Sequence, residues 1–421
     1  MEYDLTQKTL PFLDRHLIYP LLQFLKGRGV YNDTELLQLE YDLLKDTNMT
    51  DYLVELSKEL GQNDADLQAK KENVVKTLAE LEEATKPVFE VLENPEVVSE
   101  LKENKTQNQA LLTSKYGLSV EQINLLYKFG QFQYNAGRYQ AASDILYHFR
   151  ALSTDPELVA SATWGRFACE ILTSQWDSVL EELGKLRDSV DSRSLDPQQQ
   201  LHQRMWVIHW SLFPFFQNDT KGKDALCDLF FSSSYISTIQ AACPWILRYL
   251  VVAVIAGGHP HTASVFQKRL KDLVRVVGQE EYEYRDPLTR FVKSLYIDYS
   301  FEDAQNQLAD CEKVLKQDFF LADSADAFLE SARKLMSQVY CRVHQRVDIA
   351  QLSQTLNLTQ EQGEKWIANL IKDSRMDAKI DESDSTVILN HPSVSVYQQV
   401  IEKTKGLTFR SSQVLNQGVT I

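Results

Sequence analysis

A mainly α fold is what this sequence predicts: a right-handed helical-hairpin solenoid that ends in a winged helix and a C-terminal helix. Three observations predict it. Only 15 glycines and 11 prolines interrupt 421 residues, which leaves room for helix after helix. From about Val120 a unit of helix, turn, aromatic residue and small or branched residue recurs. Residues 348–391 then change period, from helical spacing to the alternation of strands.

Taken in order, residues 4–26 are amphipathic, with Leu10, Leu13, Leu17, Leu21, Leu22 and Leu25 set around Pro11 and Pro20. Thr34–Lys45 and Thr50–Leu60 read as short helices after polar breaks. Asp64–Glu93 reads as a long charged helix kinked at Pro87. Its seam of Leu67, Val74, Leu78, Leu81, Val88 and Leu92 is too irregular for a coiled coil. Together these make an N-terminal helical arm, residues 1–95. Glu96–Gln109 is polar and charged, and residues 96–119 are expected as a linker.

The helical repeat is expected over 120–318. A helix containing Leu125-Leu126-Tyr127-Lys128-Phe129 ends at Asn135-Ala136-Gly137, and Tyr139 and Ala142 open the next. Trp176 and Val179 hold the same places 37 residues on, after the helix Trp164–Thr173. Phe301 and Ala304 hold them again after Leu288–Tyr296. That spacing suits tetratricopeptide-like hairpins, which stack because one hairpin cannot bury its own apolar face. His202–Phe216, with Trp206, Trp210, Phe213, Phe215 and Phe216, reads as a buried helix, and a ligand groove is the alternative.

The winged helix is placed at 319–391, with Phe319, Phe320, Phe328 and Leu329 in the stretch that docks it. Ile349, Leu352 and Leu356 form one apolar stripe. Asn357 ends that helix, and Thr359 with Gln362 makes a capping box for the next. The second helix buries Trp366, Ile367, Leu370 and Ile371. Met376–Asp381 alternates polar and apolar residues as a half-solvated strand does, and Glu382–Ser385 turns the chain into a β-rich Thr386–Leu389. Residues 392–421 supply a C-terminal helix and tail, with Tyr397, Val400, Ile401 and Leu407 on one face. Nothing remains in the chain to cover that face, so a partner helix is expected.

Charge argues against nucleic acid as the main partner. The second helix carries Glu361, Glu364 and Asp373 against Lys365 and Lys372, where phosphate contact requires a basic rim. The chain holds 59 acids against 44 bases, a formal charge of −15. Broad attraction to nucleic acid or anionic membranes is thereby disfavoured. Five scattered cysteines, without a CxxC pair, suit reduced thiols in a cytosolic or nuclear compartment. The acidic opening Met1-Glu2-Tyr3-Asp4 lacks the features of a signal peptide. Arg248 interrupts the longest apolar run, Ile246–Gly258, which is too short to span a bilayer. A soluble, cytoplasmic protein is expected.

No phosphate loop, nucleophile elbow or HExxH occurs. His259-Pro260-His261 followed by Asp272 is similar to the zinc ligands of the MPN-plus metalloproteases, with Leu250–Ala256 before it in the place of a strand. Arg269 stands where those enzymes need serine, and the residues after His261 read as helix. A solvent-facing turn is the simpler account. No catalytic, cofactor-binding or metal residue is expected, and the protein is not expected to be an enzyme.

Helical hairpins running into a winged helix resemble the PCI domain, shared by subunits of the proteasome lid, the COP9 signalosome and a translation initiation factor. Particular segments resemble one branch of that family, the E-type subunits of eukaryotic translation initiation factor three. They are Phe12-Leu13-Asp14-Arg15-His16-Leu17, Lys128-Phe129-Gly130-Gln131-Phe132-Gln133-Tyr134, the run Trp206–Phe213, Lys365–Ile371, Asp377–Asp381 and Tyr397–Lys405. They span nearly the whole chain in order. The resemblance implies a non-catalytic scaffold subunit without cofactors, in a hetero-oligomer that binds the small ribosomal subunit and helps recruit mRNA and initiator methionyl-tRNA. Its partners would be other PCI and MPN subunits, the small ribosomal subunit through the complex, and RNA only indirectly or locally, with no membrane. The strands around Asp377, Lys379, Ile380, Val387 and Leu389 would pair edge to edge with neighbours. Tyr397, Val400, Ile401 and Leu407 would enter a shared helical bundle, and the N-terminal arm would be free to hold a peripheral subunit. A scaffold of the proteasome lid or signalosome is the competing reading.

Overall fold

Among the described residues helix follows helix from Thr6 to Val343, and the first strand begins at Arg346. The computed structural model describes residues 3–29, 31–61, 65–92, 105–193, 195–218, 221–257, 263–344, 346–349, 365, 367–368, 371, 378–381, 386–389 and 396–418. Leu352, Leu356, the Thr359/Gln362 capping box, Trp366, Leu370 and the turn 382–385 lie outside them, as do His259, His261 and Asp377. The chain forms two units, Met1–Lys293 with Asn306–Ser331, and Ser294–Gln305 with Ala332–Ile421.

In the first unit, hairpins form where the repeat is expected. Val120–Asn135 is followed by Tyr139–Leu152, and Pro156–Leu172 by Trp176–Ser192. Each turn closes the same way. The amide of Arg138 donates to the Gln133 carbonyl and that of Gly137 to Tyr134, while Gln175 donates to Glu170 and Ser174 to Ile171. Two such crossed bonds satisfy the carbonyls left free at a helix end, and they require a left-handed residue, here Gly137 (φ 80°) and Ser174 (φ 57°). The residues five positions on, Ala142 and Val179, are fully buried, which is why they are small or branched. In the second unit Tyr299 (φ 54°) stands before Phe301 in the same way, and Ala304 is again fully buried.

The helix Pro197–Gln217 is buried from Val207 to Phe216, so the aromatic run is core rather than groove. Trp206, 40% exposed, is its one aromatic residue open to solvent.

Two expectations about the N-terminal third need correction. The stretch 96–119 is not all linker, because Lys105–Tyr116 is a helix. Its Leu112 is fully buried in one core with Val88, Leu126 and Phe149, and Tyr116 packs against the same core, so a few apolar contacts fix a polar segment. Nor is the arm free. Trp210 Nε1 donates to the Phe12 carbonyl at 2.7 Å, and Arg248 Nη2 donates to that of Tyr3 at 2.7 Å. Tyr134 donates to Asp14 at 2.6 Å, and Phe24 meets Phe319 edge to face at 5.4 Å. Asp14 also caps the helix Arg15–Leu25, which breaks the expected 4–26 stretch in two.

In the second unit three strands form an antiparallel sheet: β1 Arg346–Asp348, β2 Ala378–Asp381 and β3 Thr386–Leu389, in the order β1-β3-β2. Val347 pairs with Val387, and Val387 with Ile380. β1 stands where the sequence pattern predicts the approach to a helix. Lys365 is exposed and Ile367 is buried, in keeping with the helical stripe expected for that segment.

Candidate protein-interaction surfaces

The strand order decides which expected interface residues face a partner. Lys379 lies exposed on β2, an edge strand. β3 is the central strand of the described sheet, paired with both β1 and β2 from Thr386 to Ile388, so those residues have no backbone edge left for augmentation. Val387, 1% exposed, also offers no side chain and is core, whereas its neighbour Ile388 is 41% exposed. Within the β2–β3 ladder Ile380 is set opposite Val387, and Leu389 opposite Ala378.

The C-terminal helix Val396–Gly418 presents the larger surface. Tyr397, Val400, Ile401 and Leu407 are 80, 56, 52 and 62% exposed. At helical spacing they share one stripe, which Val414 and Leu415 extend at 69 and 68% exposure. Thr404 and Thr408 fill the gaps in the stripe. Their hydroxyls donate to the carbonyls of Val400 (2.7 Å) and Thr404 (2.8 Å), so the polar atoms are satisfied along the helix. Phe409, 64% exposed, stands on the opposite face. Glu402 is set against Lys403, Lys405 and Arg410, so the helix is basic in an acidic chain. An apolar stripe of this length left in water marks a surface for another protein. Val414 and Leu415 were not among the expected residues, although the seven-residue step from Val400 through Leu407 reaches Val414.

At two other places that hold chemistry-bearing groups, the described charged groups are paired. Leu247–Ala256, before the histidine pair, is a helix rather than a strand, and Arg269 pairs with Asp224 (2.6 Å) and Asp228 (2.8 Å). Asp272 pairs with Arg275 at 3.4 Å. A cavity of about 450 Å³ lies between Tyr3–Thr9 and Asp310–Phe320. Its charged groups are paired: buried Arg248 with Asp286 (2.9 Å) and Asp318 (3.4 Å), Asp4 with Tyr31, and Asp310 with Lys313. Burial works against the Arg248 charge, but Tyr284, Asp286 and Asp318 outweigh it and raise the pKa of the guanidinium. Among the described residues no single helix is long and apolar enough to cross a membrane; the one pair that passes jointly is bent by 116°.

Comparison with known proteins gives the family. Residues 4–133 match the N-terminal domain of eIF3 subunit 6, residues 308–391 the PCI domain, and residues 395–415 the C-terminal segment of the E subunit of eukaryotic translation initiation factor 3. The E subunit of Emericella nidulans is 52% identical over 420 residues, covering 98% of this chain and 93% of that protein. That of Aspergillus fumigatus is 51% identical, with 99% and 93% covered. That of Botryotinia fuckeliana is 48% identical, again with 99% and 93% covered.

Proposed function

The chain belongs to the family of the E subunits of eukaryotic translation initiation factor 3, and from that membership we propose the contacts through which it serves as a scaffold of the factor. The lid and signalosome reading is set aside, since the full-length relatives are initiation-factor subunits. The C-terminal helix docks through Tyr397, Val400, Ile401, Leu407, Val414 and Leu415 onto helices of other PCI or MPN subunits. The edge of β2 left open among the described residues, with Lys379 and Ile380, pairs with a neighbouring winged helix. Through the assembled factor the chain contacts the small ribosomal subunit and acts in the recruitment of mRNA and initiator methionyl-tRNA, in the cytoplasm. It carries out no catalysis, and any RNA contact is indirect or local.

One observation carries this reading: an apolar stripe exposed from Tyr397 to Leu415 on a helix that its own chain leaves bare. Capture of the tagged chain from a cell extract, followed by mass spectrometry and sedimentation, tests it. Other subunits of initiation factor 3 should be recovered, and the chain should co-sediment with small ribosomal subunits. Recovery of lid or signalosome subunits alone would overturn it.

A further inference from the structure

The N-terminal segment is fastened over a histidine. His209 is fully buried, and the Phe12 ring stacks on it at 4.4 Å with 21° between the planes. Its Nδ1 lies 2.7 Å from the Met205 carbonyl, and Trp245 Nε1 lies 3.2 Å from its Nε2. These partners fix the tautomer: a carbonyl only accepts, so Nδ1 carries the hydrogen, and an indole N–H only donates, so Nε2 is bare. The neighbouring Trp210 holds the Phe12 carbonyl, so one turn of helix grips both the ring and the backbone of Phe12.

We infer that His209 is an acid-sensitive latch: neutral, it seats Phe12 and keeps the N-terminal segment docked; protonated, it lets that segment go. Protonation at Nε2 would set two N–H donors against each other at the Trp245 contact, beneath a stacked ring with no room to turn. The groups facing the ring from each packed element are the Met205 carbonyl on its own helix, the Trp245 indole, and Phe12 on the N-terminal segment. Lys8 on that segment places its ammonium 5.8 Å from the Trp245 ring, where it would repel a second cation. Burial accordingly pushes the His209 pKa down from 6.5 to about 4, against the Met205 bond, which raises it. The second histidine under the segment, His16, contacts the Tyr139 hydroxyl at 3.0 Å. Burial lowers its pKa as well, but the nearby Asp14 charge and Asn135 act in the opposite direction, so His16 resists charging less steeply.

The sign follows from linkage. The docked state holds the proton more weakly than the released state, so docking is at full strength above pH 6.5 and weakens as pH falls toward about 4. Between pH 7.5 and 5 the docking equilibrium should fall about thirtyfold. Hydrogen–deuterium exchange of the full chain, corrected for intrinsic rates, reads this directly. Protection of a peptide covering residues 5–14 should drop by that order at pH 5, while residues 120–152 stay protected. In His209→Asn most of the change between the two pH values should disappear, and in His16→Asn most of it should remain. Phe12→Ala should expose residues 5–14 at pH 7.5 already, which supplies a reading even if His209→Asn folds poorly. Unchanged wild-type protection of residues 5–14 at pH 5, or a pH drop abolished by His16→Asn instead, would overturn the proposal.

Discussion

Val400→Asp combined with Ile401→Asp should detach the chain from its complex while leaving its own fold alone. In the free chain the two side chains are 56 and 52% exposed, so about half of each remains to be covered by a partner. Full burial of a valine or isoleucine contributes about 1.5–3 kcal/mol, so covering the remaining half contributes about 1 kcal/mol each. Aspartate forfeits that and brings an unpaired charge into the contact, which costs at least about 1–3 kcal/mol more per site. The sum is about 4–8 kcal/mol, or roughly three orders of magnitude or more in affinity. In the isolated chain both positions face water, and the change costs only a few tenths of a kcal/mol in helix propensity. Quantitative affinity capture would be run beside urea denaturation of the purified variant, with Gln398→Asp and Gln413→Asp as charge controls off the stripe. Recovery of partner subunits at wild-type levels by the double variant would refute the reasoning.

Three predictions concern the scaffold itself. Arg248→Met leaves Asp286 and Asp318 buried without their cation, and should lower stability by about 3–5 kcal/mol in urea denaturation. Gly222→Ala should cost about 2 kcal/mol or more, because a Cβ there would lie 2.2 Å from the Phe215 carbonyl oxygen, which is backbone and does not rotate away. Ser174→Gly should raise stability by about 1 kcal/mol, seen as a higher urea midpoint, since Ser174 holds a left-handed φ of 57° that glycine adopts without strain.

What could be read from the sequence was local. Thr50–Leu60 lies where its polar flanks put it, and the hairpin turns fall where an aromatic residue follows a break, because a turn is specified within a few residues. Lys105–Tyr116 escapes such a reading because polar composition reports exposure, not the absence of helix, and Leu112 with Tyr116 ties it to the core. β1 escapes it because Arg346–Asp348 has only three residues, one of them buried, too few for a period. The docking of the N-terminal segment is beyond any pattern: Phe12 and Trp210 are 198 positions apart, and neither one's neighbours point to the other. At the candidate surface the helical stripe was legible, since its residues share one element. The loss of Val387 as an edge comes from strand order, which alternation cannot supply.

The same strand order ranks the two contacts. β2 has four residues, and half of its backbone groups already face β3, leaving about four outward hydrogen bonds. At about 0.5–1.5 kcal/mol net for each bond, the strand contributes about 2–6 kcal/mol. Association costs roughly 4–15 kcal/mol in lost freedom, so the strand alone does not hold a partner. The six stripe residues are 52–80% exposed, and covering them contributes about 1–2 kcal/mol each, a larger sum. On the proposed contacts the helix would therefore hold the chain in the complex, and the strand would set the register of the neighbour. Lys379→Asp, which alters an exposed side chain and no backbone bond, should accordingly weaken recovery of partners less than about tenfold. A loss as large as that of the double aspartate variant would reverse the ranking and make the sheet edge the main contact.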